Sequence, residues 1–360
     1  MVIDSRSVKN YAIRQAERRR AGEMIAGIIT MEITFRCNLR CRHCYLGPYT
    51  YGDASKNREL TTDEVKGVLD QLIEAGTFFV DFTGGEALCR PDIFEIMAHA
   101  GKIGLFFGLK TNATMINETV ADKLKDLGVS GVHISLYGAT PQTHEFVTEI
   151  PGSFEKTISA AKMLRERRIR VRFNTTMMKC NVKEHKQIEA LANQLNASSN
   201  FDPFIMSKVG EPGSGDLIRL DDEDLKTLVA ERNWVPDEEI TAKSSVESHI
   251  ICTAGRKRCA ISPSGEVIPC TSWRLVMGDL RKRSFSEIWN GEVARKVRSV
   301  TAKDMPTCVS CEFVKFCARC PGFVDLEKEG SGLSGPSSVN CRVARAIKEV
   351  RDARAKENLH

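Results

Sequence analysis

Arg36-Cys37-Asn38-Leu39-Arg40-Cys41-Arg42-His43-Cys44 puts three cysteines on one short loop, directly after the apolar run Gly27 to Thr34. Three thiolates make a poor structural zinc site, because such sites take four protein ligands. They suit a cubane iron–sulfur cluster with one iron left open, which can bind a second molecule and pass it an electron. A zinc loop with a distant fourth ligand is the competing reading. The motifs downstream of the loop decide between the two.

From residue 27 to about 206, strand-like apolar runs alternate with segments of helical period. The strand candidates are Gly27 to Thr34, Phe78 to Thr83, Leu105 to Thr111, Val129 to Leu136, Ile169 to Thr176 and Phe201 to Met206. Thr61-Thr62-Asp63-Glu64 offers a capping box for the first helix, whose Val65, Val68, Leu69, Leu72 and Ile73 share one face. Further helices are expected over about Asp92 to Lys102, Glu118 to Leu127, Phe154 to Arg167 and Lys183 to Leu195. Repeated strand–helix units imply an α/β fold with a parallel sheet. Six such units are fewer than the eight of a closed TIM barrel, so the expected architecture is a partial, TIM-like (β/α)6 barrel. Its chemistry would gather at the C-terminal strand ends.

The polar residues stand there. The first strand runs into the cysteine loop, and the second ends in Thr83-Gly84-Gly85-Glu86. Paired glycines let backbone approach a ligand closely, and a carboxylate beside them can accept bonds from an ammonium group. The third strand ends in Lys110-Thr111-Asn112 and the fourth in Ile134-Ser135-Leu136-Tyr137.

A second group of cysteines follows residue 250. Cys252, Cys259 and Cys270 flank a Pro-Ser-Gly hairpin signal at 263–265, and Cys308, Cys311, Cys317, Cys320 and Cys341 come after. Eight cysteines supply two sets of four ligands. A total of 13 cysteines, odd and clustered, does not look like a secreted disulfide framework and points to metal in a reducing compartment. Cys89 and Cys180 read as small buried hydrophobes.

In motif and motif order, residues 31–206 resemble the radical S-adenosylmethionine (SAM) superfamily, and the later cysteines resemble its C-terminal SPASM domain. The resemblance implies a SAM-binding [4Fe–4S] cluster on Cys37, Cys41 and Cys44. It implies SAM contacts from Thr83, Gly84, Gly85 and Glu86 to the amino group, from Asn112 and Ser135 to ribose or carboxylate, and from His43 to adenine. It further implies two auxiliary [4Fe–4S] clusters, three clusters in all. Cys252, Cys259, Cys270 and Cys320 would hold the first, and Cys308, Cys311, Cys317 and Cys341 the second. Cys259 lies outside the minimal pattern of the domain. A pair of zinc ribbons is the alternative for this region. The activity implied is reductive cleavage of SAM to a 5′-deoxyadenosyl radical that takes a hydrogen atom from a substrate.

The substrate implied is a ribosomally made peptide or protein side chain, matured by thioether, cross-link or epimerisation chemistry. Formylglycine formation is disfavoured, since Thr271 stands where those maturases carry an aspartate. A tetrapyrrole or other small molecule, as in haem-pathway decarboxylation, and a non-catalytic metal scaffold are the alternatives. Expected partners are the peptide, a separate peptide-recognition protein, and a reductant such as flavodoxin or ferredoxin.

The chain of 360 residues is long enough for two domains. The expected division is a basic segment at 1–24, the barrel at 25–207, a linker with an acidic helix at 208–247, the SPASM domain at 248–345, and a basic helical tail at 346–360. A net charge of +5 is mild and makes no case for nucleic acid. No run approaches the roughly 18 apolar residues of a membrane span, and Asp4, Arg6 and Lys9 interrupt any signal-peptide pattern. A cytoplasmic enzyme is the expectation.

Overall fold

Parallel strands alternate with helices as the periodicity predicts. In the computed structural model the strands are β1 (Ile28–Glu32), β2 (Phe79–Thr83), β3 (Phe106–Thr111), β4 (Val132–Ser135), β5 (Val171–Thr176) and β6 (Ser198–Asp202). The residues described are 22–47, 59–232, 252–328 and 335–357, with the isolated positions 13, 17, 18, 20 and 234. Most of the 1–24 basic segment and the linker beyond residue 234 lie outside them. The helices between strands are α1 (Thr62–Glu74), α2 (Ile93–Lys102), α3 (Glu118–Asp126), α4 (Pro141–Thr148), α5 (Ser153–Glu166) and α6 (His185–Gln194). The capping box forms as expected: Thr61 accepts from the Glu64 N–H, and Glu64 accepts from the Thr61 N–H at 2.7 Å.

Alternation along the strands sorts the side chains onto two faces. Ile29, Val80, Phe82, Phe107, Leu109, Ile134 and Phe173 are buried in one apolar cluster with Leu69, Leu72, Ile96, Leu164 and Ile188 of the helices. Burying one such side chain fully is worth roughly 1.5–3 kcal/mol, so this layer holds the half-barrel together. The other face carries Thr30, Asp81, Lys110, His133 and Arg172, none of them fully buried.

Two features depart from expectation. β6 runs over Ser198–Asp202, upstream of the expected Phe201 to Met206, because Ser198 to Asp202 pair in register with Arg172 to Thr176 of β5. The sheet also does not stop at six strands. Its order is β6-β5-β4-β3-β2-β1-β7-β8-β9, with β7 (Arg258–Ile261), β8 (Glu266–Ile268) and β9 (Gly278–Asp279) added beside β1. β7 is parallel to β1 and forms the expected hairpin with β8, turned at Gly265 with a φ of +93°, and β9 pairs antiparallel with β8. The cysteine-rich region is therefore rooted in the barrel's own sheet.

The acidic helix appears as α7 (Asp222–Glu231), capped by Asp221. Helices α8 (Phe285–Trp289), α9 (Glu292–Ser299), α10 (Pro306–Val309) and α11 (Pro321–Lys328) follow. The last helix, α12 (Ser338–Glu357), is continuous through residue 345 and is pinned to α7 by Arg342–Asp222 and Lys226–Glu349 ion pairs.

Candidate functional site

The cysteine loop leaves the end of β1 and is held by backbone. The Cys44 N–H donates to the Cys41 carbonyl, and the Arg40 and Arg42 N–H groups donate to the carbonyls of Thr148 and Val147. Cys37, Cys41 and Cys44 lie within electrostatic reach of one another. Burial pushes the Cys37 thiol up to about 12 and raises the Cys41 and Cys44 thiols too. Such thiols ionise only when a metal supplies the compensating charge. Their sulfurs already accept backbone N–H bonds, Cys37 from Leu39 at 3.4 Å and Cys44 from Leu46 and Gly47. Amide bonds to sulfur are one of the levers that set an iron–sulfur cluster's potential. Among the described residues no three Cys, His, Asp or Glu side chains converge tightly enough for a single metal ion. A cubane, which takes one thiolate per iron, asks for no such convergence.

Beside this loop, the end of β2 presses against the end of β1. The Gly85 N–H donates to the Thr34 carbonyl and the Glu86 N–H to the Arg36 carbonyl, both at 2.8 Å. A Cβ on Gly84, whose φ is +149°, would collide with the Thr34 carbonyl. One on Gly85 would stand 2.5 Å from the Phe35 and Arg36 oxygens. The glycines thus allow backbone to meet backbone, rather than leaving room for a ligand at Cβ.

Glu86 is held from within. Its carboxylate is 0% exposed and accepts from the Leu88 N–H (3.0 Å), the Asn112 N–H (2.7 Å) and the Thr111 hydroxyl (2.8 Å). It locks the end of β2 to the end of β3. Asn112 is engaged as well. Its amide donates to Asn38 in the cysteine loop at 2.9 Å and accepts from Thr114. Thr83 and Ser135 stay partly exposed at their strand ends. His43 packs edge-on against Tyr137 with ring centroids 4.5 Å apart. Burial lowers its pKa to about 4, and its Nδ1 is buried without a partner among the described residues. That unpaired ring nitrogen beside the three thiols suits a site completed by a nucleobase.

A further carboxylate escaped the sequence reading. Glu32, at the end of β1, is 0% exposed and is clasped by Arg274, Nη1 at 3.1 Å and Nη2 at 2.8 Å, while the Tyr45 hydroxyl donates to it at 2.8 Å. Tyr45 follows the third cysteine and Arg274 lies four residues after Cys270. These positions next to cysteines were the only sequence signal for the pair.

The later cysteines fall into the two expected groups, with one exception. Cys270 senses Cys320 and Cys252, and Cys320 senses Cys252. Cys341 senses Cys308 and Cys311, and Cys317 senses Cys341 and Cys308. Burial pushes Cys270 and Cys317 up to about 11. The N–H-to-sulfur bond seen at Cys37 recurs at Cys252 (from Ala254, 3.3 Å) and Cys311 (from Phe313, 3.4 Å). Cys259 does not join its expected group. It lies on β7 opposite Ile29, 1% exposed inside the main apolar cluster, with Arg298 as its charged neighbour. Strand parity aims it at the helical layer. Of the two remaining cysteines, Cys89 is partly buried with its sulfur 3.6 Å from Met115, and Cys180 is exposed rather than buried.

Bordering the first loop is an open cleft of about 900 Å3, lined by Cys41, Cys44, Arg42, Lys208, Glu211 and Leu217 among others. Among the described residues its lining includes no aromatic side chain.

Known proteins resemble this chain in sequence and in fold. The chain matches the radical SAM superfamily over residues 31–193 and SPASM, an iron–sulfur cluster-binding domain, over residues 252–321. It is 30% identical to the AdoMet-dependent heme synthase of Methanosarcina barkeri, covering 81% of this chain and 90% of that one. It is 29% identical to the PqqA peptide cyclase of Bradyrhizobium diazoefficiens, covering 82% of each. The structure of Streptococcus suis SuiB bound to S-adenosylmethionine superposes with a TM-score of 0.67 at 18% identity, over 92% of this chain and 81% of that one. No described helix is long and apolar enough to cross a membrane.

Proposed function

Because the chain belongs to the radical SAM superfamily and carries a SPASM domain, we propose that it uses SAM to abstract a hydrogen atom from a peptide or protein side chain. The chemistry would come from the cofactors: a reduced cluster on Cys37, Cys41 and Cys44 supplies the electron that opens SAM to a 5′-deoxyadenosyl radical. The chain's residues supply position. Glu86 fixes the ends of β2 and β3, Asn112 ties β3 to the cysteine loop through Asn38, and Gly84 and Gly85 let the two strand ends close. Thr83, Ser135 and His43 are the side chains proposed to meet SAM, with Ser135 also bonded to the Tyr137 side chain. Cys252, Cys270 and Cys320, and Cys308, Cys311, Cys317 and Cys341, are the proposed holders of two auxiliary clusters.

The open cleft carries the choice of a peptide. Flat apolar cofactors are gripped by apolar and aromatic walls. This cleft offers mixed charges and an 87% exposed leucine, Leu217, which suit an extended chain. The likeness to a PqqA peptide cyclase supports the same reading. A second reading, a tetrapyrrole substrate, is favoured by the likeness to an AdoMet-dependent heme synthase.

Anaerobic protein with dithionite and SAM should release methionine and 5′-deoxyadenosine, and Cys37→Ala/Cys41→Ala/Cys44→Ala should release neither. Iron should be about twelve per chain, falling by about four in the triple variant. Zinc in place of iron would end the proposal. Deuterium passing into 5′-deoxyadenosine from a labelled peptide, and not from coproporphyrin, would decide for the peptide.

A further inference from the structure

The inner face of the partial barrel has a composition that packing does not explain. In closed barrels of this type the interior is filled by bulky branched residues. Here successive inward positions are Thr30 and Glu32 on β1, Asp81 and Thr83 on β2, Gly108 and Lys110 on β3, His133 and Ser135 on β4, and Arg172 and Asn174 on β5. Lys110 lies opposite His133, and His133 opposite Arg172, so three nitrogen-bearing side chains stand abreast. His133 and Arg172 line a cavity of about 270 Å3 with Asp81, Gly108, Ser130 and Arg170, and Lys110 borders it through its pair with Asp81.

Asp81 is paired with Lys110 at 3.2 Å, and His133 senses the charges of Asp81, Lys110 and Arg172. Gly108 makes room for this, since a Cβ there would stand 2.7 Å from Asp81 Oδ1. Burial lowers the His133 pKa, with Asp81 acting against it and Lys110 and Arg172 with it. The cations Lys110 and Arg172 outnumber the anion Asp81, and Arg170 adds another at the rim. Arg172 donates through Nη2 to Asn200 at 3.0 Å. Among the described residues its other N–H groups, and both nitrogens of His133, meet no protein partner. Unfilled donors and a cationic excess around the cavity attract an anion.

This group is also placed for use. Thr83 and Ser135 follow Asp81 and His133 by two residues on the same strands and the same face. Two residues of strand span about 7 Å, the reach of one substrate side chain below the strand-end site.

We propose that Lys110, His133 and Arg172 form a carboxylate-binding floor inside the barrel, below the strand-end site, selecting substrates that place a carboxylate beneath the reacting carbon. The proposal rests on reading the strand ends as the SAM site. The carboxylate has two sources, an acidic residue of a peptide or a propionate arm of a tetrapyrrole.

The test measures binding to the anaerobic full-length protein by two probes. One is a random-sequence peptide pool, recovered and sequenced after equilibrium capture. The other is coproporphyrin III, with its tetramethyl ester as the uncharged counterpart. Loss of one charged hydrogen bond is expected to weaken binding by about tenfold to a hundredfold. Enrichment of Asp or Glu in the captured pool, lost in Lys110→Gln and Arg172→Gln and kept in the exposed Lys296→Gln, supports the floor with a peptide as ligand. Coproporphyrin III bound more tightly than its ester, with that preference lost in the same variants, supports it with a propionate. Binding by neither probe, or binding equally strong in the variants, overturns it. Release of 5′-deoxyadenosine from SAM by wild type, measured alongside, tests the strand-end reading separately: if none is released, that reading has failed, and the floor is judged on the binding data alone.

Discussion

The ends of β1 and β2 lie side by side, each encloses a carboxylate completely, and the two are held in opposite ways. Glu86 on the β2 side is met by neutral donors, two backbone N–H groups and a hydroxyl, all within 26 residues of it in sequence. Glu32 on the β1 side is met by a guanidinium and a phenol, and the guanidinium is 242 residues away. The first arrangement is a local clamp that shapes a strand end. The second is a bridge that ties the barrel to the segment just after Cys270. A buried carboxylate in a motif is thus not by itself a ligand for substrate. What surrounds it decides its job.

The clamp should be the more costly to break. Glu86→Leu leaves the Leu88 and Asn112 N–H groups and the Thr111 hydroxyl without an acceptor, each worth about 1–3 kcal/mol when buried and unpaired. A loss of roughly 3–6 kcal/mol is expected in chemical denaturation, with SAM-dependent release of 5′-deoxyadenosine abolished. A variant that kept full stability would show that the clamp carries nothing. Arg274→Met should cost slightly less, about 3–5 kcal/mol, by stranding the buried Glu32 charge. Glu32→Leu/Arg274→Met removes both charges and should regain most of it. If the double variant is no better than the single, the bridge acts through something besides its charge pair.

The same contrast explains what the sequence made legible. The cysteine loop, Gly84-Gly85-Glu86 and the six strand–helix units all depend on short spacings, and the structure places them at neighbouring strand ends. The Glu32–Arg274 bridge and the pairing of β1 with β7 join residues more than 200 positions apart, and no local periodicity records such a pairing. Even where the motif was legible, its side-chain partners were not: the Glu86 carboxylate accepts from the Leu88 and Asn112 N–H groups and the Thr111 hydroxyl. The charged inner face was equally hidden, because Asp81, Lys110, His133 and Arg172 belong to four different strands and only register brings them abreast.

A third strand end sharpens the comparison. Beyond β4, His144 is 1% exposed, accepts the Tyr137 N–H through Nδ1 at 3.2 Å, and stacks on the Tyr137 ring. Burial lowers its pKa to about 4, against 6.5 in an unfolded chain. A depressed pKa means the fold prefers the neutral ring, so its contribution is complete above pH 6.5 and is lost as pH falls toward 4. Between pH 7 and pH 5 that is about 2 kcal/mol. In denaturant titrations at the two pH values, His144→Gln should be less stable than wild type at pH 7 and should lack this part of the acid sensitivity. Equal slopes in the two proteins would mean that the ring takes up its proton without opening the fold.

The smallest effect concerns Cys259, where the family resemblance and strand parity give different answers. The resemblance to the SPASM domain implies that it is the fourth member of the set with Cys252, Cys270 and Cys320. Parity puts it beside Ile29 in the apolar layer, while its neighbour Ala260 takes the other face. To bring Cys259 round, β7 would have to slip by one residue against β1, which would turn every side chain of the strand over. Cys259→Ala should therefore leave the iron content unchanged and cost only about 1 kcal/mol, the effect of a small void in a packed layer. Cys252→Ala should instead lose about four irons. Equal iron loss in both variants would restore Cys259 as a ligand and require a different register for β7. Loss only in Cys252→Ala would leave the first auxiliary site with three cysteines, and with one position to be filled by something other than Cys259.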